Sequence, residues 1–196
     1  MILTEKEIKT FAPLGIQHWR MWLRKNHNKR QSVWLVFYKK NSTTTSLSYS
    51  DAVDEALCFG WIDSKAKPID EEKFMRFFCK RKATGTWSKV NKEKIDRLVK
   101  ERRMTKAGFN AIETARQNGS WKILDEVEKL IIPKDLAKEF TKKKKAEIYF
   151  LSLCRSDKRN ILQWLVLARL PETREKRIIE IADLANQKLK PVQFRG

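Results

Sequence analysis

The stretch Ser50-Asp51-Ala52-Val53-Asp54-Glu55-Ala56-Leu57-Cys58-Phe59-Gly60-Trp61-Ile62-Asp63 changes its period part-way along. Val53, Ala56 and Leu57 recur at the spacing of one helix face. Ser50 suits the N-cap, and Asp51, Asp54 and Glu55 read as first-turn residues on a solvated face. Acids placed there meet the positive end of the helix dipole. Gly60 fits the position just past the helix, because glycine takes a left-handed backbone without steric cost. Trp61 to Lys67 then reads as a strand, which puts Trp61 and Asp63 on one face. Asp70-Glu71-Glu72 makes a polar turn. From Lys73 to Lys80 the pattern alternates again, with Phe74, Arg76 and Phe78 on one face and Met75, Phe77 and Cys79 on the other. Two strands across a turn predict a hairpin, and aromatics on both faces of the second strand predict cover on both.

Upstream, Ile16, Trp19 and Leu23 share a helical face, with Trp22 beside them. Val33-Trp34-Leu35-Val36-Phe37-Tyr38 is short, β-branched and aromatic, as in a strand covered on both faces. The Ser- and Thr-rich run Asn41 to Ser48 is a loop. Downstream, Lys80 to Thr86 is a basic loop holding Gly85. Ser88 caps a helix with Val90, Ile95, Leu98 and Val99 as its core stripe. Thr105 caps another, which carries Phe109, Ile112 and Ala115 and stops near Asn118-Gly119. Between Gly119 and Pro133 the helical pattern breaks. Beyond it everything reads as helix: Leu136 to Phe140, Ala146 to Leu153, a segment capped by Ser156, and a last helix opened by Pro171. The expected class is α+β: a small β-sheet flanked by helices over residues 1–125, then a C-terminal helical bundle over 126–196.

The chain of 196 residues is 41% apolar, with seven Trp and ten Phe, enough to build a core and against disorder. No run of ~18 apolar residues is present, so no transmembrane segment is expected. The start MILTEKEIKT has no basic region ahead of an apolar one, so a secretory signal is not expected and the location is cytoplasmic. Cys58, Cys79 and Cys154 form no CxxC pair and sit among apolar neighbours, so they read as free buried thiols in a reducing cytosol. With only His18 and His27 available, no metal site is expected. The net charge of +19 is spread along the chain with no dedicated basic arm. It is compatible with nucleic acid, with an anionic ligand, or with solvated lysine alone.

The run Ser50 to Asp63 resembles the signature of the YdeI/OmpD-associated, or bacteriocin-protection, family. So do Trp34 to Lys40, Phe77 to Arg81, Thr86 to Asn91, Arg103 to Gly108 and Ala168 to Ile178, in order along nearly the whole chain. One departure is visible: the basic loop in that family often holds a proline near Lys82-Ala83, and none is present. The resemblance implies a cytoplasmic or peripheral stress protein, described through bacteriocin protection or porin association, without an agreed reaction or cofactor.

One constellation stands out for chemistry: Trp61, Asp63, Arg81, Trp87, Ser88 and Asn91, with Arg103 added as a further basic group. Arg81 and Trp87 flank a Gly-containing loop, and Ser88 starts a helix, whose N-terminus next to basic residues suits an anion. Tryptophan faces can stack on a ring or hold a cation. The structural alternative has Asp63 paired with Arg76 or Arg81, both Trp in the core, and Ser88 and Asn91 as caps. Cys58 sits at a helix end with no histidine close in sequence, which favours an inert thiol. No GxSxG, Walker or GxGxxG pattern occurs, and no cofactor is implied. The leading expectation is a non-enzymatic protection protein that binds a protein, an envelope component or a small anionic ligand. The alternatives are a basic nucleic-acid-associated protein, and an enzyme with its site around Trp61, Asp63 and Trp87.

Overall fold

The computed structural model describes residues 10–39, 42, 44 and 47–195. The N-terminal segment weighed as a secretory signal, up to residue 9, and half of the loop expected over 41–48 lie outside the described residues. The chain divides into two compact units, the first running to Trp121 and the second starting at Lys122.

The first unit is built from β1 (Thr10–Phe11), α1 (Ile16–Asn26), β2 (Ser32–Tyr38), α2 (Tyr49–Cys58), β3 (Trp61–Pro68), β4 (Lys73–Lys80), α3 (Lys89–Lys100) and α4 (Lys106–Gln117). The strands form one sheet in the order β1-β2-β4-β3, in which β1 is parallel to β2 and the other pairs are antiparallel. The β3–β4 hairpin closes where Asp70 Oδ1 accepts from the backbone N–H of Glu72 (2.9 Å) and Lys73 (2.7 Å). An Asp in this role supplies the turn that the backbone alone leaves open. Register places Leu35 opposite Arg76 and Phe37 opposite Phe74. Trp19 of α1 meets Phe78 of β4 edge-on at 5.6 Å, and its Nε1–H donates to the Ala52 carbonyl of α2 at 3.1 Å. The indole thereby joins sheet, α1 and α2 with its polar atom satisfied.

Helix α2 is the centre of this unit: α1, β3, α3 and α4 all pack on it. Residues 52–59 are buried without interruption. Its N-cap is Ser48, whose Oγ accepts from the Asp51 N–H at 3.1 Å, and not Ser50. The helix therefore begins earlier than the sequence pattern suggests, and Asp54 and Glu55 fall in its middle. They are buried, against the expectation of a solvated first turn. Gly60 does follow the helix in the left-handed region, at φ 72°. In α3, Ile95 and Leu98 are buried, but Val90 and Val99 are exposed; Phe109 of α4 is exposed as well. Thr105 occupies the N-cap position of α4, yet its hydroxyl reaches out of the helix to donate to the Cys58 carbonyl at 2.7 Å. The end of α2 is satisfied in this way by the start of α4.

The second unit holds α5 (Asp125–Glu128), α6 (Lys134–Thr141), α7 (Ala146–Ser152), α8 (Arg155–Val166), α9 (Pro171–Asn186) and a short 3-10 turn, Val192–Phe194. Its separate core gathers Leu136, Phe140, Phe150, Leu162, Leu165 and Ile181. Pro171 opens α9, as expected, because its missing N–H is one that a first turn never uses. Ser156 does not cap α8: Cys154 holds that position, without a side-chain cap bond. Arg174 of α9 grips Asp135 of α6 through two hydrogen bonds, 2.6 and 3.0 Å. The architecture is α+β, with the sheet in the first unit and only helices in the second.

Gly108 lets α4 approach the end of α2: a Cβ at this position would run into the Cys58 carbonyl. Overpacking of this kind typically costs about 1–3 kcal/mol. Gly108→Ala is therefore expected to lower the unfolding free energy measured by denaturant titration by that much; an unchanged value means that the two helices separate freely.

Candidate functional site

Trp61 and Asp63 do share a face of β3, the face that looks towards the α1–α2 layer. Trp61 is fully buried, packs edge-on against Trp22 at 5.8 Å, and donates from Nε1 to the His27 carbonyl at 3.4 Å. Asp63 Oδ2 accepts from Arg76 Nη1 at 2.7 Å and from the Tyr49 hydroxyl at 2.8 Å. The Arg76 guanidinium in turn lies 4.1 Å from the Tyr49 ring centre. Burial, followed by the Asp63 hydrogen bond and charge, pushes the Tyr49 phenol up to about 12. Both residues are thus occupied by structural partners.

Arg81, Trp87, Ser88 and Asn91 are brought together at the start of α3. Ser88 is the N-cap, its Oγ accepting from the Asn91 N–H at 3.3 Å. No acid stands in the first turn. Trp87 is buried and leans on Trp121 with ring centres 5.0 Å apart. The Arg81 guanidinium carbon lies over the Trp87 ring, 3.5 Å from its centre, and Nη2 donates to the Thr86 carbonyl at 2.6 Å. Its Nε and Nη1 are buried and have no hydrogen-bond partner. Desolvation pulls the guanidinium down to about 10, with the charge of Asp63 acting in the opposite direction. A buried charged donor without an acceptor is unfavourable and calls for one.

Arg103 belongs to a different cluster, which sequence reasoning missed. Glu55 receives Arg20 Nη1 at 2.5 Å and Arg103 Nη2 at 2.6 Å, while Arg20 Nη2 also donates to the Arg103 carbonyl at 2.9 Å. Burial opposes the Arg103 charge, but Glu55 and Glu101 outweigh it and the guanidinium is raised overall. One residue back, Asp54 takes Lys94 at 2.6 Å and a short contact from Arg97. Two successive carboxylates are therefore each held between two cations. The signal was present in the chain: Asp54-Glu55 stands between Val53 and Ala56, inside an apolar helical run. Both carboxylates of α2 are therefore engaged by cations from neighbouring elements.

Of the three thiols expected to be buried only Cys58 is, with Cys79 half-buried and Cys154 exposed; desolvation together with the neighbouring Glu55 lifts the Cys58 thiol to about 11. A groove of about 550 Å³ runs between α3 and α4, lined by Ile95, Val99, Phe109, Ile112 and Arg116 among others. None of the candidate site residues Trp61, Asp63, Arg81, Trp87, Ser88, Asn91 and Arg103 lines it, whereas Ile95, Val99, Phe109 and Ile112 are the residues expected to form the core stripes of these two helices. No helix among the described residues is long and apolar enough to cross a membrane.

Residues 13–111 match the family model described as Domain of unknown function (DUF8412). Residues 129–188 match the model described as Bacteriocin-protection, YdeI or OmpD-Associated. The chain belongs to the first of these families, whose model spans half of it; the second model matches a segment of the C-terminal unit. The likeness seen in the sequence is divided accordingly. Only the stretch Ala168 to Ile178 lies within the YdeI/OmpD-associated match, and Trp34 to Lys40, Ser50 to Asp63, Phe77 to Asn91 and Arg103 to Gly108 lie within the other. Bacteriocin protection is named in the description of the second model and belongs to that family. No curated protein and no solved structure matches the chain.

Two outcomes follow from this geometry. Glu55→Ala strands two arginines that are each less than a third exposed, and should cost about 3 kcal/mol in denaturant unfolding, the lower end for a broken buried pair. Iodoacetamide at neutral pH should alkylate the exposed Cys154 first and Cys58 only on unfolding, because about one Cys58 in ten thousand is thiolate there. Early labelling of Cys58, read by mass spectrometry, contradicts the buried assignment.

Proposed function

We propose that this is a non-catalytic protection protein of the cytoplasm that acts by binding, and that Arg81 receives an anionic group of its ligand. The observation that carries the reading is the guanidinium stacked on Trp87 with Nε and Nη1 buried and unpartnered. The surrounding chemistry points the same way. The buried carboxylates at 54 and 55 already have two cations each, and Asp63 has Arg76 and Tyr49. The unmet demand in this unit is therefore for an acceptor, which a carboxylate or phosphate supplies. The start of α3, free of acids in its first turn, adds backbone N–H groups and a favourable dipole beside it. The three free thiols suit a reducing compartment. Arginine over an aromatic ring is also pre-shaped for a planar, two-oxygen partner.

Thermal unfolding with increasing inorganic phosphate or citrate, set against chloride at equal ionic strength, tests this. The expected result is a rise in the midpoint for the natural protein and none for a folded Arg81→Met variant. An equal rise in both, or none in the natural protein, removes Arg81 as the anion site.

A further inference from the structure

We propose that the face of the sheet turned away from α1 and α2 binds single-stranded nucleic acid, with Trp34 and Phe77 stacking on bases and Lys65 and Lys67 meeting the phosphates. This surface is independent of Arg81.

The register defines the face. Leu35, Phe37 and Phe78 point into the core with Trp19, so their strand neighbours point the other way. Trp34 stands opposite Phe77, and Tyr38 opposite Lys73. The Trp34 and Phe77 rings meet edge-on, with centres 5.2 Å apart. Neither ring is part of the cluster under the helices, but Trp34 is only 8% exposed, with Lys65 and Lys67 over it, while Phe77 is partly exposed.

Lysines surround these rings because β3 carries an irregularity. Asp63 pairs with Phe78, but the next registered pair is Ala66 with Arg76, so β3 spends one residue more than β4 between them. One extra residue inverts the alternation of everything beyond it. In an unbroken strand that starts with Asp63 facing the core, Lys65 and Lys67 would face the core too. The bulge instead puts the exposed Ala66 on the side of Arg76 and sends both lysines to the Trp34 face. Lys65 Nζ lies 5.8 Å from the Trp34 ring centre and 6.0 Å from that of Phe77, and Lys67 Nζ lies 5.4 Å from Trp34. At the hairpin end Lys73 Nζ is 5.6 Å from the Tyr38 ring centre and 3.8 Å from Asp70 Oδ2.

Rings flanked by mobile cations on a sheet match the two chemical needs of an unpaired strand. Bases offer flat π-faces to aromatic side chains, and phosphates seek ammonium groups. A surface cation–π contact is weak. A base can therefore displace the lysine from Trp34, and the freed ammonium is then within reach of the adjoining phosphate. A duplex keeps its bases stacked internally and offers these rings nothing. An acidic peptide would meet the lysines and leave the aromatic pair unused. The net charge of +19 raises the encounter rate with any polyanion, but the aromatic pair is what selects a single strand.

The test is fluorescence anisotropy of labelled oligo-deoxythymidine and of the same-length duplex at physiological salt, with the full chain. Preference for the single strand is expected. Lys65→Glu with Lys67→Glu should weaken it roughly ten-fold, and Phe77→Leu, which keeps every charge, several-fold. A control pair on the second unit, Lys142→Glu with Lys144→Glu, should bind within about two-fold of the natural protein, since two phosphate contacts elsewhere are not lost. Circular dichroism confirms that each variant is folded. Equal affinity for duplex, equal weakening by the control pair, full retention in Phe77→Leu, or no binding overturns the proposal. So does undiminished binding in the presence of Lys65→Glu and Lys67→Glu, or displacement of the oligonucleotide by anionic phospholipid vesicles or poly-glutamate at equal charge. Arg81→Met should bind the oligonucleotide normally, so failure here and failure of the anion site are distinguishable.

Discussion

Two adjacent carboxylates, Asp54 and Glu55, lie buried in the middle of α2, and the arrangement of the first unit depends on how they are neutralised. An ionised carboxylate removed from water is strongly unfavourable unless cations and hydrogen bonds replace its hydration. Here each acid receives two cations, and those cations come from different places. Arg20 reaches from α1 and Arg103 from the segment between α3 and α4, while Lys94 and Arg97 reach from α3. Moving any of these elements away would leave charge uncompensated, so the pairs set where the outer helices sit around α2. Such networks add little net stability compared with apolar packing, but they penalise misplacement heavily. Close approach completes the arrangement. Gly108 brings α4 against the end of α2, and the Thr105 hydroxyl satisfies the Cys58 carbonyl there.

The same packing separates the chemistry of the unit into two parts. On the helix side nearly every polar group is consumed: Trp61 by His27, Asp63 by Arg76 and Tyr49, and Glu55 by two arginines. Among the described residues Arg81 is the exception, with two buried donors left open above Trp87. On the other side of the sheet, aromatic rings and lysines stand together because the β3 bulge reverses the strand's alternation. Binding chemistry thus resides where the core has not claimed the side chains. The second unit has its own core and its own ion pairs, such as Arg174 with Asp135, and it is the part that matches the YdeI/OmpD-associated model.

Much of the fold was legible because its signals are local. The hairpin from Trp61 to Lys80, the strand at Val33–Tyr38, the glycine after α2, the Ser88 cap and the proline opening α9 each follow from backbone preference and short-range periodicity. Errors arose where two local choices were equally good. Ser48 and Ser50 are both acceptable caps, and taking the later one moved Asp54 and Glu55 from the helix middle to its first turn. Val90 and Val99 fit a helical stripe, but α3 turns only Ile95 and Leu98 inward.

By itself, then, the sequence determined the α+β class, the order of elements, and the grouping of Arg81, Trp87, Ser88 and Asn91, whose closeness in the chain guarantees closeness in space. Tertiary structure alone decided that Glu55 pairs with Arg20 and Arg103, that Arg103 has no part in the Arg81 cluster, and that Lys65 and Lys67 lie over Trp34. The partners in those contacts are some thirty to fifty residues apart in the chain. Local periodicity specifies which face of an element is apolar, but not which distant charge will be needed when that face is closed off from water.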